Sequence, residues 1–310
     1  MQVTRFSIGA ICALLILTAS PAEAFEWPTE ERLVISTFGE LRDGGYLKGI
    51  EMAGENLSVQ PVLPGKVVFY RREAQRQGIL PGGLGQSVVV QHERGIRTRY
   101  GNLRDLNVEQ FSGGEVGTDF ILGYTGASAE NSIPTADDST RAAEKSFPEG
   151  LFFQLIDGEL QRIVNPLLSL SSIPDTTAPR IVGLYVSEGA EMRRIRDGGS
   201  LPQGDFAVIV ETYDMSRAAG KTRRLLPYAV RLIVNGEEIA GMEFDAVEAE
   251  EQRHVLVSGG RRSAEDVYSG QWRLRIGNVP FRPTEMQLQV VVSDFSGNEV
   301  SERYRIRVEE

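Results

Sequence analysis

Short apolar runs, each closed by a glycine turn, follow one another along the chain, and no long stretch with the 3.6-residue period of a helix interrupts them. Residues 87–91 (SVVVQ), 97–100, 120–124 and 151–156 are such runs in the first half. A chain patterned this way buries its apolar side chains by pairing strands, so the fold class is all-β. Residues 206–213, 228–234, 238–244, 271–276 and 286–292 continue the pattern. Between two of them Asn235-Gly236 is a hairpin signal, since both residue types accept the positive φ of a type I′ turn. The last run is the clearest: Tyr304, Ile306 and Val308 alternate with Arg303, Arg305 and Arg307, an apolar face turned inward and a basic one left in water. That basic stripe reads as a solvated or edge-protecting face.

At 310 residues the chain has room for two cores, and 41% hydrophobic with 25% charged residues is the composition of a globular protein. A net charge of −10 argues against a nucleic-acid surface, which needs clustered Lys and Arg. Arg71 and Arg72 read as a solvated strand end. The first 24 residues stand apart: Arg5, an apolar run and Ala22-Glu23-Ala24 form a secretory signal peptide, too short in its apolar part for a membrane span of roughly 20 residues. Cys12, the only cysteine, lies inside that run, so the mature chain has neither disulfide nor thiolate ligand. Residues 169–179 (SLSSIPDTTAP) are polar and proline-bearing and mark a linker. The expected organisation is a signal peptide over 1–24, a β-sheet domain over 25–168, the linker, and over 180–310 a β-sandwich of the immunoglobulin-like class without the cysteine pair of antibody domains. Residues 127–148 form a long polar segment between two strands, either a functional loop that covers a groove or a tolerated insertion.

Motifs for catalysis are sparse. The only histidines, His92 and His254, fall in different halves, whereas a catalytic zinc takes three protein ligands and an open position for water. No nucleophile-elbow context surrounds a serine, and Glu51 with Asp157 reads as two surface carboxylates rather than an acid–base pair. PGGLG at 81–85 reads as a hairpin loop, and Asp294 to Asn298 (DFSGN) as a strand-connecting turn in preference to a calcium loop.

Ordered motifs over 36–168 resemble the β-sheet domain of the LytM-type zinc endopeptidases, the M23 family that cuts peptidoglycan peptides. STFGELR at 36–42 resembles the family's S-x-F-G-x-R, with the arginine displaced to Arg42. YLKGIEMAG (46–54) lies where H-x-G-I-D-I-A is expected, and VLPGKVVFY (62–70) matches the glycine before a V-V strand. SVVVQHERGIRTRYGNL (87–103), ILGYTGAS (121–128) and GLFFQLIDGELQRIVNPLLSL (150–170) match the later motifs in order. The resemblance implies a LytM-like fold but not its metal. The family's ligand positions carry Leu47, Glu51 and Phe152, and its remaining catalytic histidine positions carry Asn102 and Gly150. Only Glu51 has a lone pair to offer a metal, and His92 falls on a histidine that is not a ligand in this family. No cofactor and no catalytic residue is therefore expected.

A weaker resemblance joins the strands opening at 175–186 and closing at 293–308 to bacterial immunoglobulin-like modules of envelope proteins. The implied function is a degenerate, non-catalytic envelope protein in the periplasm or cell envelope. Its expected partner is peptidoglycan or a cell-wall hydrolase, with Glu51, Tyr100, Asn102 and Gln154 lining a remnant groove. The alternatives are an active peptidoglycan endopeptidase, opposed by Leu47 and Phe152, and a structural or adhesive protein working through its second half.

Overall fold

The structure, a computed structural model, describes residues 24–72, 84–107, 109, 111, 114–126, 150–189, 191–218 and 221–310. The signal segment apart from its last residue, the long segment at 127–148 and most of PGGLG lie outside the described residues. The described chain is almost all β. Its helical pieces are short, among them Ala264–Val267, which Ser263 starts with a reciprocal cap to Asp266. Among the described residues no helix is long and apolar enough to cross a membrane.

Strand Gly150–Asp157 is the axis of the first sheet, with six of its eight residues buried. Ile96–Arg104 pairs along one side of it, followed outward by Gln86–Gln91 and Gly65–Arg71. The other side is shared: Ile50–Ala53 pairs with Gly150 to Phe153, and Arg162–Val164 with Leu155 to Asp157. Beyond Arg162–Val164 the sheet continues into Ala246–Glu250, Arg253–Leu256 and Arg262–Ser263. Strands from the second half of the chain thus complete the sheet of the first, and hydrogen bonding runs straight across the linear boundary at 169–179.

The rest of the second half is two sheets face to face. One runs Glu191–Arg194, Arg180–Glu188, Gly204–Ala218, Arg273–Phe281, Tyr268–Gly270; the other runs Gly199–Pro202, Glu299–Glu309, Glu285–Ser293, Ala229–Val234, Glu237–Glu243. Leu184, Val208 and Ile276 from the first meet Leu232, Val290 and Ile306 from the second in one core. The Asn235-Gly236 hairpin forms as its residues dictate, with φ of 52° and 89° at the two turn positions. In the closing strand Ile306 and Val308 are buried while Arg303, Arg305 and Arg307 are exposed, as the alternation requires. The run expected at 120–124 is displaced: the strand is Gly123–Thr125, because Phe120 donates its N–H to the Gly117 carbonyl in a turn that uses up the start of the run.

Candidate functional site

Side chains directly opposite in an antiparallel pair share a face, so register sorts the residues around Gly150–Asp157 into two sets. Tyr100, Phe153 and Ile50 face one way and are fully buried in the first sheet's core. Arg99 with Gln154, and Gly101 with Phe152 and Glu51, face the other way. On that second face lies a cavity of about 680 Å³. Its floor includes Arg99, Asn102, Phe152 and Gln154; Arg42 to Lys48 form a second side, and Gln252 to His254 with Ser263 to Glu265 a third. The third side comes from the second half of the chain, so both halves build the site.

Arg42 reaches it from a tight hairpin. Leu41 pairs with Tyr46 and Arg42 with Gly45 across Asp43-Gly44, whose φ values of 50° and 77° suit a two-residue turn. From there the Arg42 guanidinium grips Glu51 at both ends, Nη1 donating to Oε1 at 3.0 Å and Nη2 to Oε2 at 3.1 Å. This bidentate pair is only 29% and 15% exposed at its two side chains, a charge-assisted fork in a largely dry place. The one expected ligand position with oxygen atoms is therefore engaged by a cation of the protein's own.

The other expected site residues fall into place around it. Leu47 and Phe152 are buried and apolar at the cavity wall. Gly49 lets the strands close up, since a Cβ there would stand 2.3 Å from the Phe153 carbonyl oxygen and 2.9 Å from the Phe152 ring. At Gly150 a Cβ would meet the Met52 carbonyl oxygen at 2.1 Å, so this backbone has no room for a histidine there. Asn102 takes φ of 59°, which asparagine tolerates better than most residues; its N–H donates to Leu84 O and its carbonyl accepts from Gly126 N. Gln154 donates from Nε2 to Lys48 O at 2.8 Å, tying the loop to the strand where its neighbour changes from Ile50–Ala53 to Arg162–Val164.

Tyr100 is a correction. It was expected at the groove with Glu51, Asn102 and Gln154, but it is fully buried on the opposite face, 5.4 Å from the Phe153 ring. Its hydroxyl accepts from Val62 N and lies 3.0 Å from the Thr98 hydroxyl. His92 joins the same buried chain, Nδ1 at 2.9 Å from Pro64 O and Nε2 at 2.7 Å from Thr98 Oγ1. A carbonyl can only accept, so Nδ1 carries the proton, and burial lowers the pKa of the ring. His92 is a structural histidine. The residue sequence reasoning missed is Arg99: a period of two counted from Asn102 selects Tyr100, but an extra residue of this strand between the pairs Val88–Tyr100 and Gln86–Leu103 changes the face. Lys48 and His254 had no linear signal linking them.

Two acidic features lie nearby or apart. Glu40 is buried between the halves, its Oε1 accepting from Thr37 N at 2.8 Å and Leu226 N at 3.4 Å, and burial pushes its carboxyl up to about 7. Away from the cavity, Asp175, Asp214 and Asp294 bring carboxylate oxygens within 4.8 Å of one another. Asp294 there closes the DFSGN turn by accepting from Ser296 N, Asn298 N and Asn298 Nδ2, and Asp214 is pushed up to about 6, by burial first and its two neighbours after.

One protein-family model matches residues 178–309. Among solved structures, the SpoIIQ–SpoIIIAH pore-forming complex has a chain 23% identical, with a TM-score of 0.35 over 48% of this chain and 92% of its own. The catalytic domain of the prophage-encoded M23 protein EnpA from Enterococcus faecalis is 19% identical, with a TM-score of 0.30 over 41% of this chain and 81% of its own. Likenesses at these scores carry no weight for function. An uncharacterized protein of Treponema pallidum (strain Nichols) is 33% identical over an alignment of 115 residues, a match that covers 34% of this chain and 78% of that protein. At that identity, over that share of its relative, the chain belongs to the family of this Treponema pallidum protein.

Proposed function

We propose that the chain is a non-catalytic cell-envelope protein whose first half is LytM-like and whose cavity recognises peptidoglycan or a cell-wall hydrolase. The observation that carries this reading is the Arg42–Glu51 fork. Under the resemblance, Glu51 is the one metal-ligand position that keeps an oxygen, and both its oxygens are held by a guanidinium. Leu47 and Phe152 at the other two positions have no lone pair, and a zinc that activates water needs three protein ligands. What persists is a concave site of ligand size in which apolar side chains such as Leu47 and Phe152 stand among charged and polar ones, which supports binding without chemistry. In this reading the leader at 1–24 sends the chain to the envelope, 25–168 is the LytM-like domain, and 180–310 is an immunoglobulin-like sandwich that lends strands 246–263 to its neighbour.

The test uses purified residues 25–310 in three assays: zinc content, release of dye-labelled peptidoglycan alone and with a cell-wall amidase, and co-sedimentation with peptidoglycan sacculi. We expect no release by the protein alone, together with sedimentation or stimulation of the amidase. Stoichiometric zinc with release by the protein alone would overturn the non-catalytic reading. Absence of both sedimentation and stimulation would overturn recognition. Deleting 180–310 is a poor substitute, because it strips three strands from the first sheet.

A further inference from the structure

The cavity carries positive charge that nothing among the described residues answers. Lys48, Arg99 and His254 all line it and are all partly buried. Among the described residues, none of the three side chains has a hydrogen-bond acceptor or an ion-pair partner. The acids along the same cavity do not compensate: Glu51 is bound to Arg42, and Asp43 and Glu265 are exposed, as is a further cation, Arg253. Two polar atoms of the floor are covered and unmet, Arg99 Nε as a donor and Asn102 Oδ1 as an acceptor. Groups left this way are costly unless something that arrives satisfies them. Lys48 is held below its usual range by burial and then by Arg99, and His254 by burial and then by Lys48.

We propose that this side of the cavity is a subsite for the terminal carboxylate of a peptide, received by Arg99 and Lys48 with His254 beside them, while Asn102 accepts a peptide N–H. A guanidinium matches a planar carboxylate with two parallel hydrogen bonds, which favours this anion over a point charge. An unmet acceptor and an unmet donor lining one cavity are what a peptide end, with its own N–H beside its carboxylate, would satisfy together. The inference rests on the recognition reading for the peptide nature of the ligand, and on the charge of the cavity alone for the carboxylate.

The experiment is an NMR titration of residues 25–310 with N-acetyl-trialanine and, separately, with its C-terminal amide. Only two histidines report, and His92, bonded to Pro64 and Thr98 inside the core, serves as the control. The acid is expected to shift the His254 signals and raise the ring's pKa, with His92 unmoved and the amide silent. Arg99→Gln is expected to weaken the acid at least tenfold, with Arg99→Lys recovering part of the loss. Equal binding of acid and amide, no response of His254 to the acid, or unchanged affinity in a folded Arg99→Gln protein would each overturn the subsite. Co-sedimentation with sacculi separates the two ideas. Sacculi bound by a chain indifferent to the acid leaves recognition standing and removes the subsite; acid bound by a chain indifferent to sacculi and amidase does the reverse.

Discussion

Single residues decide whether the cavity is a metal centre or a binding site. Under the proposed LytM-like reading, motif order makes Glu51 the ligand position that keeps an oxygen and Leu47 and Phe152 the positions that carry none. What the order of residues did not reveal is that Arg42 closes on Glu51, since the hairpin at Asp43-Gly44 had to fold first. Removing the cation while leaving the carboxylate, as in Arg42→Ala, is expected to cost about 2–4 kcal/mol, because a largely buried charge is left unpaired. Urea denaturation of Arg42→Ala, Glu51→Gln and the double variant measures it, and the double variant should recover part of the loss. Glu40 adds a pH dependence of known sign. Its carboxyl stays protonated to about pH 7 when folded but only to about 4.5 otherwise. Its contribution to stability is therefore full below about 4.5 and is lost as pH rises through 7. Glu40→Gln is expected to flatten the stability profile between pH 5 and pH 8 by something on the order of 2–3 kcal/mol, read from denaturation curves across that range.

At the scale of elements, one strand carries two functions on alternate residues. Along Ile96–Arg104, Thr98 and Tyr100 face the core while Arg99 and Gly101 face the cavity. The strand itself was legible from its apolar and β-branched residues, and so was the hairpin at Asn235-Gly236. Which face met the core was not: Arg97 and Arg99 share one face and Thr98 and Tyr100 the other, but the groove reading set Tyr100 beside Asn102, across a register shift that only the partner strand reveals. Tyr100→Phe removes the oxygen that accepts the Val62 N–H, a buried donor, and is expected to cost about 1–3 kcal/mol while leaving the peptide-acid affinity unchanged. Arg99→Gln is expected to do the opposite, with stability nearly intact and affinity lost. Comparing the two variants by thermal unfolding and by the His254 titration tests the assignment of faces directly.

At the scale of the whole molecule, the halves are built into each other. Phe38 and Tyr46 from the first half sit in the core of the second, and Leu225 from the second sits in the core of the first. Tyr46 Oη donates to Arg262 O, Tyr268 Oη to Gly39 O, and Asn165 Nδ2 to Phe244 O, all across the same junction. Residues 25–310 are therefore expected to unfold in a single calorimetric transition whose van't Hoff and calorimetric enthalpies agree, and residues 25–179 alone to lack a cooperative transition. Two separate transitions would show that the junction contributes little. The sequence by itself determined the all-β class, the Asn235-Gly236 hairpin and the alternating closing strand, because each rests on a local period or a turn chemistry. The tertiary structure alone decided that strands 246–263 join the first sheet, that His254 stands by Lys48 and that Arg42 takes Glu51, because these depend on residues far apart in the chain being brought together by the burial of a shared core.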